Sequence, residues 1–129
     1  MTEIKLKPSE AELEILQELW NQPDQTVSEI HSQLEEKKQV GYTTTLKQMQ
    51  RMLEKGMLTR KKNGKLYVYS SELDEKLTKN NIFNRLSETL FKGSAKEMMM
   101  HLLGNQETTQ EELNELKEWI KQKEKGGSK

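Results

Sequence analysis

Leu13, Leu16 and Trp20 recur at spacings of three and four, which places them on one face of a helix. Ser9 stands before that stripe with Glu12 three residues on. At this spacing each side chain satisfies a backbone N–H of the other residue, so the pair marks a helix start. Pro8 discourages an earlier start, and Asn21-Gln22-Pro23-Asp24 ends the element. Thr26 with Glu29 repeats the device, and Val27, Ile30 and Leu34 form the face of a second helix. Gly41 marks its break. A third helix is expected from near Thr43, a candidate cap, to Lys55, closed by Gly56 in the left-handed conformation. Leu46, Met49 and Leu53 form its inner stripe, with Met52 beside it. At about 100° per residue, Thr44, Gln48, Arg51 and Lys55 fall on the opposite side, flanked by Lys47.

The period then changes from helix to strand. Residues 58–62 and 65–69 flank Asn63-Gly64, a pair suited to the two positive-φ positions of a tight hairpin turn. Leu66 and Val68 share one face of the second strand, Tyr67 and Tyr69 the other. From Glu72 the pattern is helical again, with Ile82, Phe83, Leu86 and Leu90 along one side of a segment reaching Phe91. Ser94 with Glu97 opens a helix through Met98 and Leu102, closed by Gly104. Thr109 with Glu112 opens a last one through Leu113, Leu116, Trp119 and Ile120. The expected organisation is mainly α with a small β-hairpin wing: a winged helix-turn-helix domain over 1–72, a helical dimerisation region over 73–123 and a flexible tail over 124–129.

Charge sharpens this picture. The chain of 129 residues is neutral, with 21 basic and 21 acidic side chains. Yet residues 1–36 carry 2 basic and 9 acidic groups, net −7, while residues 37–69 carry 9 and 1, net +8. Exposed charges act over about 8 Å at physiological salt, so local density matters more than the total. A compact cationic segment is a footprint for a polyanion. Hydrophobic residues make up 32%, below the roughly 45–50% of ordinary domains, which favours burying further surface against a second copy. No cysteine is present, which excludes disulfides and thiolate metal sites. No run approaches the roughly 20 apolar residues of a membrane span, and the N-terminus lacks the apolar core of a signal peptide, so a cytoplasmic protein without membrane insertion is expected.

In a winged helix-turn-helix the second of the paired helices enters the major groove and the hairpin lies against the backbone. Tyr42, Thr43, Thr44, Lys47, Gln48 and Arg51 are the candidate groove residues. Arginine and lysine reach guanine O6 and N7, glutamine pairs with adenine, and a threonine methyl touches the thymine methyl. Arg60, Lys61, Lys62 and Lys65 are candidate phosphate contacts on the wing. A basic face of this kind also suits a protein-interaction module docking an acidic partner. Ile82, Phe83, Leu86, Leu90, Met98, Leu102, Leu113, Leu116 and Ile120 are the candidate dimerisation residues. The run of Met98, Met99 and Met100 points in three directions on a helix and suits packing better than a Cu(I) site. His31 and Glu35, four apart, offer too few ligands for a metal, so no cofactor or metal is expected. No nucleophile elbow, phosphate loop or zinc-protease motif is present, which argues against an enzyme.

The stretch Gly41-Tyr42-Thr43-Thr44-Thr45-Leu46, continuing through Arg51-Met52-Leu53-Glu54-Lys55-Gly56-Met57-Leu58, resembles the recognition helix of the penicillinase-repressor (BlaI/MecI/CopY) family. Ser9-Glu10-Ala11-Glu12-Leu13-Glu14-Ile15-Leu16 with Trp20 is similar to its opening helix, and Gln110-Glu111-Glu112-Leu113-Asn114-Glu115-Leu116 to its last. The resemblance implies a homodimeric transcriptional repressor that binds double-stranded DNA at an inverted-repeat operator. In the resistance branch it further implies a membrane sensor metallopeptidase, or a protease downstream of it, as a partner that cleaves the dimerisation region. Two departures stand out. The copper branch carries C-terminal cysteine pairs that this chain lacks, and the Asn-Phe pair cleaved in the resistance branch corresponds here to His101-Leu102.

Overall fold

A computed structural model describes residues 7–105 and 107–126. They form two compact units, one up to Ile82 and one from Phe83 onward. The first contains α1 (Glu10–Asn21), α2 (Val27–Glu35), α3 (Tyr42–Lys55), β1 (Leu58–Asn63) and β2 (Leu66–Ser71). After it come α4 (Glu75–Phe91), within which the division falls, α5 (Ala95–Asn105) and α6 (Gln110–Gly126). Three helices followed by an antiparallel hairpin make the first unit a winged helix-turn-helix, as the hydrophobic pattern predicts.

The helix starts follow from their caps. Ser9 Oγ accepts from Glu12 N at 3.2 Å while Glu12 Oε1 accepts from Ser9 N at 2.8 Å. Thr26 and Glu29 make the same reciprocal pair, as do Thr109 and Glu112. The start of α3 differs from expectation. Its N-cap is Gly41, with no side-chain cap, so Thr43 is an exposed first-turn residue and not the cap. Its end is as expected: Gly56, at φ 88°, donates to Leu53 O, and Met57 N reaches back to Met52 O.

The core of the first unit gathers Ile15, Leu16, Leu19, Ile30, Leu34, Met49, Met52, Met57, Leu58, Tyr69 and Leu73. On α3 the fully buried positions are Thr45, Met49 and Met52, while Leu46 and Leu53 are only partly covered. The inner stripe is therefore rotated from the one centred on Leu46 and Leu53. Polar groups tie this core together. Gln25, 1% exposed, exchanges two backbone hydrogen bonds with Tyr69, which adds a short third pairing to the hairpin. Its side-chain amide donates to Gln22 O and to Glu18 O, which also takes the backbone N–H of Gln22 at the end of α1, and its oxygen accepts from Gln33. Trp20 Nε1 donates to Leu73 O at 2.9 Å and to Ser71 Oγ at 3.1 Å, fixing the chain that leaves the wing.

The hairpin register corrects the turn by one residue. Asn63 pairs with Leu66, so the two loop residues are Gly64 and Lys65. Only Gly64 takes a positive φ, 70°, which fits a turn with glycine at its first central position instead of the Asn-Gly type. Arg60, Lys62, Tyr67 and Tyr69 consequently share a face, while Lys61 lies on the other with Val68 and Ser70.

In the second unit Gly104 lies inside α5 and does not close it, and α6 stays helical to Gly126, through the first residues of the expected tail. Lys123 and Lys125 in its last turn complement the helix dipole. Residues 127–129 lie outside the described residues.

Because the buried side-chain amide of Gln25 ties the end of α1 to Gln33 of α2, Gln25→Ala is expected to lower stability by about 1–3 kcal/mol while leaving its backbone pairing with Tyr69 in place. Urea unfolding measures this, and a loss below about 0.5 kcal/mol would contradict the role given to that side chain.

Candidate nucleic-acid interface

α3 divides its polar side chains between a seam and an open face. Gln48 Nε2 donates to Glu12 Oε2 at 3.3 Å, and Lys55 Nζ reaches the same oxygen at 2.8 Å. Both therefore face α1, and Gln48 is half-buried. The open face carries Thr43, Thr44, Lys47, Gln50, Arg51 and Glu54, all exposed, with Tyr42 46% exposed at its start. Gln50 is a residue that the stripe of Leu46, Met49 and Leu53 does not point to. Centring the buried side on Thr45, Met49 and Met52 turns Gln50 outward beside Lys47, on the side away from Arg51, and that centring follows only once Leu46 and Leu53 are seen at the edge of the core.

The cationic segment is sorted in the same way. Lys55 pairs with Glu12 at 2.8 Å, Lys37 with Glu18 at 2.9 Å, Lys38 with Glu14 at 2.6 Å and Lys61 with Asp24 at 3.8 Å. The exposed pairs, Lys38–Glu14 and Lys61–Asp24, add little stability, whereas Glu12 and Glu18 in the other two are buried. All four fix the sign of the surface, since each cancels a positive charge on the side turned toward α1 and α2. Lys47, Arg51, Arg60, Lys62 and Lys65 carry no ion pair among the described residues, and all five are exposed. The net +8 of the sequence thus becomes a smaller patch on the outer face of α3 and on the wing.

Glu12 anchors the seam. Its side chain is 4% exposed, and burial pushes its carboxyl upward. The hydrogen bonds from Lys55 and from the backbone and hydroxyl of Ser9, with the Lys55 charge, outweigh burial and hold it below the ordinary carboxylate value. On the wing, the Arg60 guanidinium lies 3.9 Å from the Tyr67 ring centre and Nη1 donates to the Tyr69 hydroxyl at 3.4 Å, so this arginine is presented flat on an aromatic shelf. Lys62 and Lys65 at the tip are exposed.

His31 on α2 meets the start of α3. Its ring is edge-on to Tyr42, with centroids 5.5 Å apart, and Nδ1 lies 3.1 Å from Thr45 Oγ1. Nε2 lies 3.1 Å from Glu35. Among the described residues no group of three His, Asp or Glu side chains is placed to hold a metal ion, and no helix is long and apolar enough to cross a membrane.

None of the nine candidate dimerisation residues, of which Ile82 ends the first unit and the other eight belong to the second, is buried. Ile82, Met98 and Leu113 are partly covered; Phe83, Leu86, Leu90, Leu102, Leu116 and Ile120 are exposed. Met99, Met100, Leu103 and Trp119, outside that set, are exposed as well. A groove of about 810 Å³ runs between Met99, Leu102 and Leu103 of α5 and Leu116 and Trp119 of α6. The His101-Leu102 bond lies within α5, where Asn105 Nδ2 approaches His101 Nε2 and O at 3.1 Å.

Three helices with a wing, and an outward cationic face on the third, define a helix-turn-helix regulator. The chain matches the penicillinase repressor family over residues 8–122, and it belongs to that family. It is 27% identical over 112 residues to the penicillinase repressor of Bacillus licheniformis, which covers 84% of each chain. It is 24% identical to the penicillinase repressor of Staphylococcus aureus, over 92% of this chain and 94% of that one. It is 23% identical to the methicillin resistance regulatory protein MecI of Staphylococcus aureus (strain N315), over 89% and 94%. Membership places the chain among transcriptional regulators and not among enzymes.

The Glu12 carboxyl supplies a test with a defined sign. A carboxylate held below its unfolded value stabilises the fold at pH above that value, and the contribution is lost as pH falls through the folded one. Glu12→Gln is expected to cost about 1 kcal/mol at pH 7, with the gap to wild type closing as pH falls below about 4. Urea unfolding across this range checks it; a gap that does not change with pH would contradict the pairing.

Proposed function

We propose that the protein is a homodimeric repressor that reads an inverted-repeat DNA operator with α3 and grips the flanking phosphates with the wing. One observation carries the reading: within the cationic segment 37–69, after Lys37, Lys38, Lys55 and Lys61 are matched by acids, the cations with no ion pair among the described residues lie on the outer face of α3 and on the hairpin. A groove-entering helix needs donors and small polar groups outward, and Thr43, Thr44, Lys47, Gln50 and Arg51 supply them. Tyr42, at the start of the helix, and Gln48, at its seam with α1, border this face. Arg60, Lys62 and Lys65 suit phosphate or sugar contacts, while Lys61 is partly committed to Asp24.

The uncovered apolar side chains of residues 83–120 support association through the C-terminal helices. A two-fold pair would present two copies of α3 to half-sites about one helical turn, or a multiple of it, apart. An inducing signal acting on the C-terminal region would separate the copies and remove the gain from binding two half-sites at once. Were that signal a protease cutting at His101-Leu102, the bond would first have to leave the helical conformation of α5.

Selection from a random duplex pool followed by competition tests this reading. Lys47→Ala and Arg51→Ala are expected to weaken binding to the selected duplex by about 1–3 kcal/mol each and to relax its sequence preference. Lys62→Ala with Lys65→Ala is expected to weaken all duplexes alike and to reduce the salt slope by about 2. Equal binding of selected and random duplexes would overturn the proposal. Trp119→Glu in the full chain is expected to convert dimer to monomer in light scattering and to weaken operator binding; an unchanged mass would refute the C-terminal dimer.

A further inference from the structure

We propose that Glu54 is a specificity-determining residue of the recognition face: its carboxylate accepts from the exocyclic amino group of a cytosine in the major groove and, by its charge, penalises sites that offer no such donor. The inference deepens the DNA-binding reading above and rests on it. Residues 37–69 hold nine basic side chains and one acidic one, and the acid is Glu54. It occupies the middle of the outward face. At about 100° per residue, with the buried side centred on Thr45, Met49 and Met52, Glu54 points most directly away from the core, in line with Thr43 and Lys47. Nothing inside the unit accounts for this placement. Glu12, Glu14, Glu18 and Asp24 each meet a lysine, whereas Glu54 is exposed and makes no ion pair among the described residues, even with Arg51 one turn before it. It lies in the last turn of α3, where a negative charge opposes the helix dipole and the neighbouring Lys55 is the residue that suits it. Helix stability therefore gives no reason for an acid here.

A carboxylate can only accept hydrogen bonds. Against a duplex it is repelled by the phosphates and is satisfied only by a donor on a base edge. In the major groove cytosine presents an amino donor and no acceptor, adenine an amino donor beside the N7 acceptor, and guanine and thymine present acceptors. Cytosine is thus the base that suits Glu54. Recognition helices read bases from positions i, i+3, i+4 and i+7, which is the spacing of Lys47, Gln50, Arg51 and Glu54. At 1.5 Å of rise per residue, Glu54 lies about 10 Å along α3 from Lys47, so the two face different base pairs. Lys47 and Arg51 attract any duplex, and Glu54 offsets part of that attraction wherever the amino donor is missing. Specificity is a difference of affinities, so an unpaired charge against the wrong sequence raises it just as a contact to the right one does.

Selection from a random duplex pool by wild type and by Glu54→Gln, both as full chains, followed by competition at one ionic strength, tests this. Glutamine keeps the shape of the side chain and removes its charge. Wild type should enrich cytosine at one position of each half-site. Glu54→Gln should lose that preference and favour adenine there, because an amide pairs with adenine N6 and N7. The position should differ from the one that Lys47→Ala relaxes. Random duplex should bind the variant about three- to tenfold tighter, and the ratio of selected to random affinity should fall by about tenfold or more. Urea unfolding of the variant should match wild type. Selected and random duplexes both tightened alike, with the enriched site unchanged, would leave only general repulsion and overturn the proposal. Unchanged affinities overturn it as well, and so does a variant that unfolds more readily, since Glu54 would then serve the fold. If wild type enriches no sequence, the DNA-binding reading itself fails; if it enriches a site that Glu54→Gln leaves intact, only the role given to Glu54 fails.

Discussion

The carboxylate of Glu12 is the joint on which the arrangement of the recognition helix depends. One oxygen belongs to the first turn of α1, where it accepts from Ser9 N; the other receives Gln48 and Lys55 from α3. A residue required locally to start a helix is thus also the one that sets how α3 is turned about its own axis. The same logic extends outward. Acids of the N-terminal segment, Glu14, Glu18 and Asp24, meet Lys38, Lys37 and Lys61, and what remains uncompensated points away from the rest of the unit. Charge segregation along the sequence becomes charge sorting in space.

The wing is held by polar ties more than by its own two strands, which alone would be marginal. Gln25 adds backbone pairing at one end of β2, and Trp20 clamps the residues after it. Tyr69 links the two roles of the hairpin, since its ring lies in the core and its hydroxyl steadies Arg60 on the outer surface. The second unit is built differently. Its helices leave phenylalanine, leucine, methionine and tryptophan exposed, and apolar patches of this kind mark interaction surfaces.

Much of this was legible in the chain. The capping pairs at Ser9, Thr26 and Thr109 and the left-handed Gly56 are local chemistry, and they fall where spacing places them. The errors arose where tertiary contact overrides local pattern. Asn63-Gly64 is a strong turn signal, yet pairing of Asn63 with Leu66 moves the turn to Gly64-Lys65. Thr43 resembles a cap, but Gly41 takes that position and Thr45, a polar residue, is buried against His31. Gln48 lies opposite the leucine stripe in projection, yet the actual core centres on Thr45, Met49 and Met52, which brings Gln48 to α1 and turns Gln50 outward. Gln25 gave no signal at all, since a glutamine in a loop has no periodicity to reveal that its amide caps a helix end.

The most direct test of the central claim, that sorting of charge leaves one cationic face for DNA, is an NMR titration of the full chain with a selected duplex. The account predicts that perturbations concentrate at Thr43, Lys47, Gln50 and Arg51 and on the wing around Arg60, Lys62 and Lys65, with α1 little affected. Perturbations centred on the acidic surface of α1 and α2, or confined to α5 and α6, would contradict it.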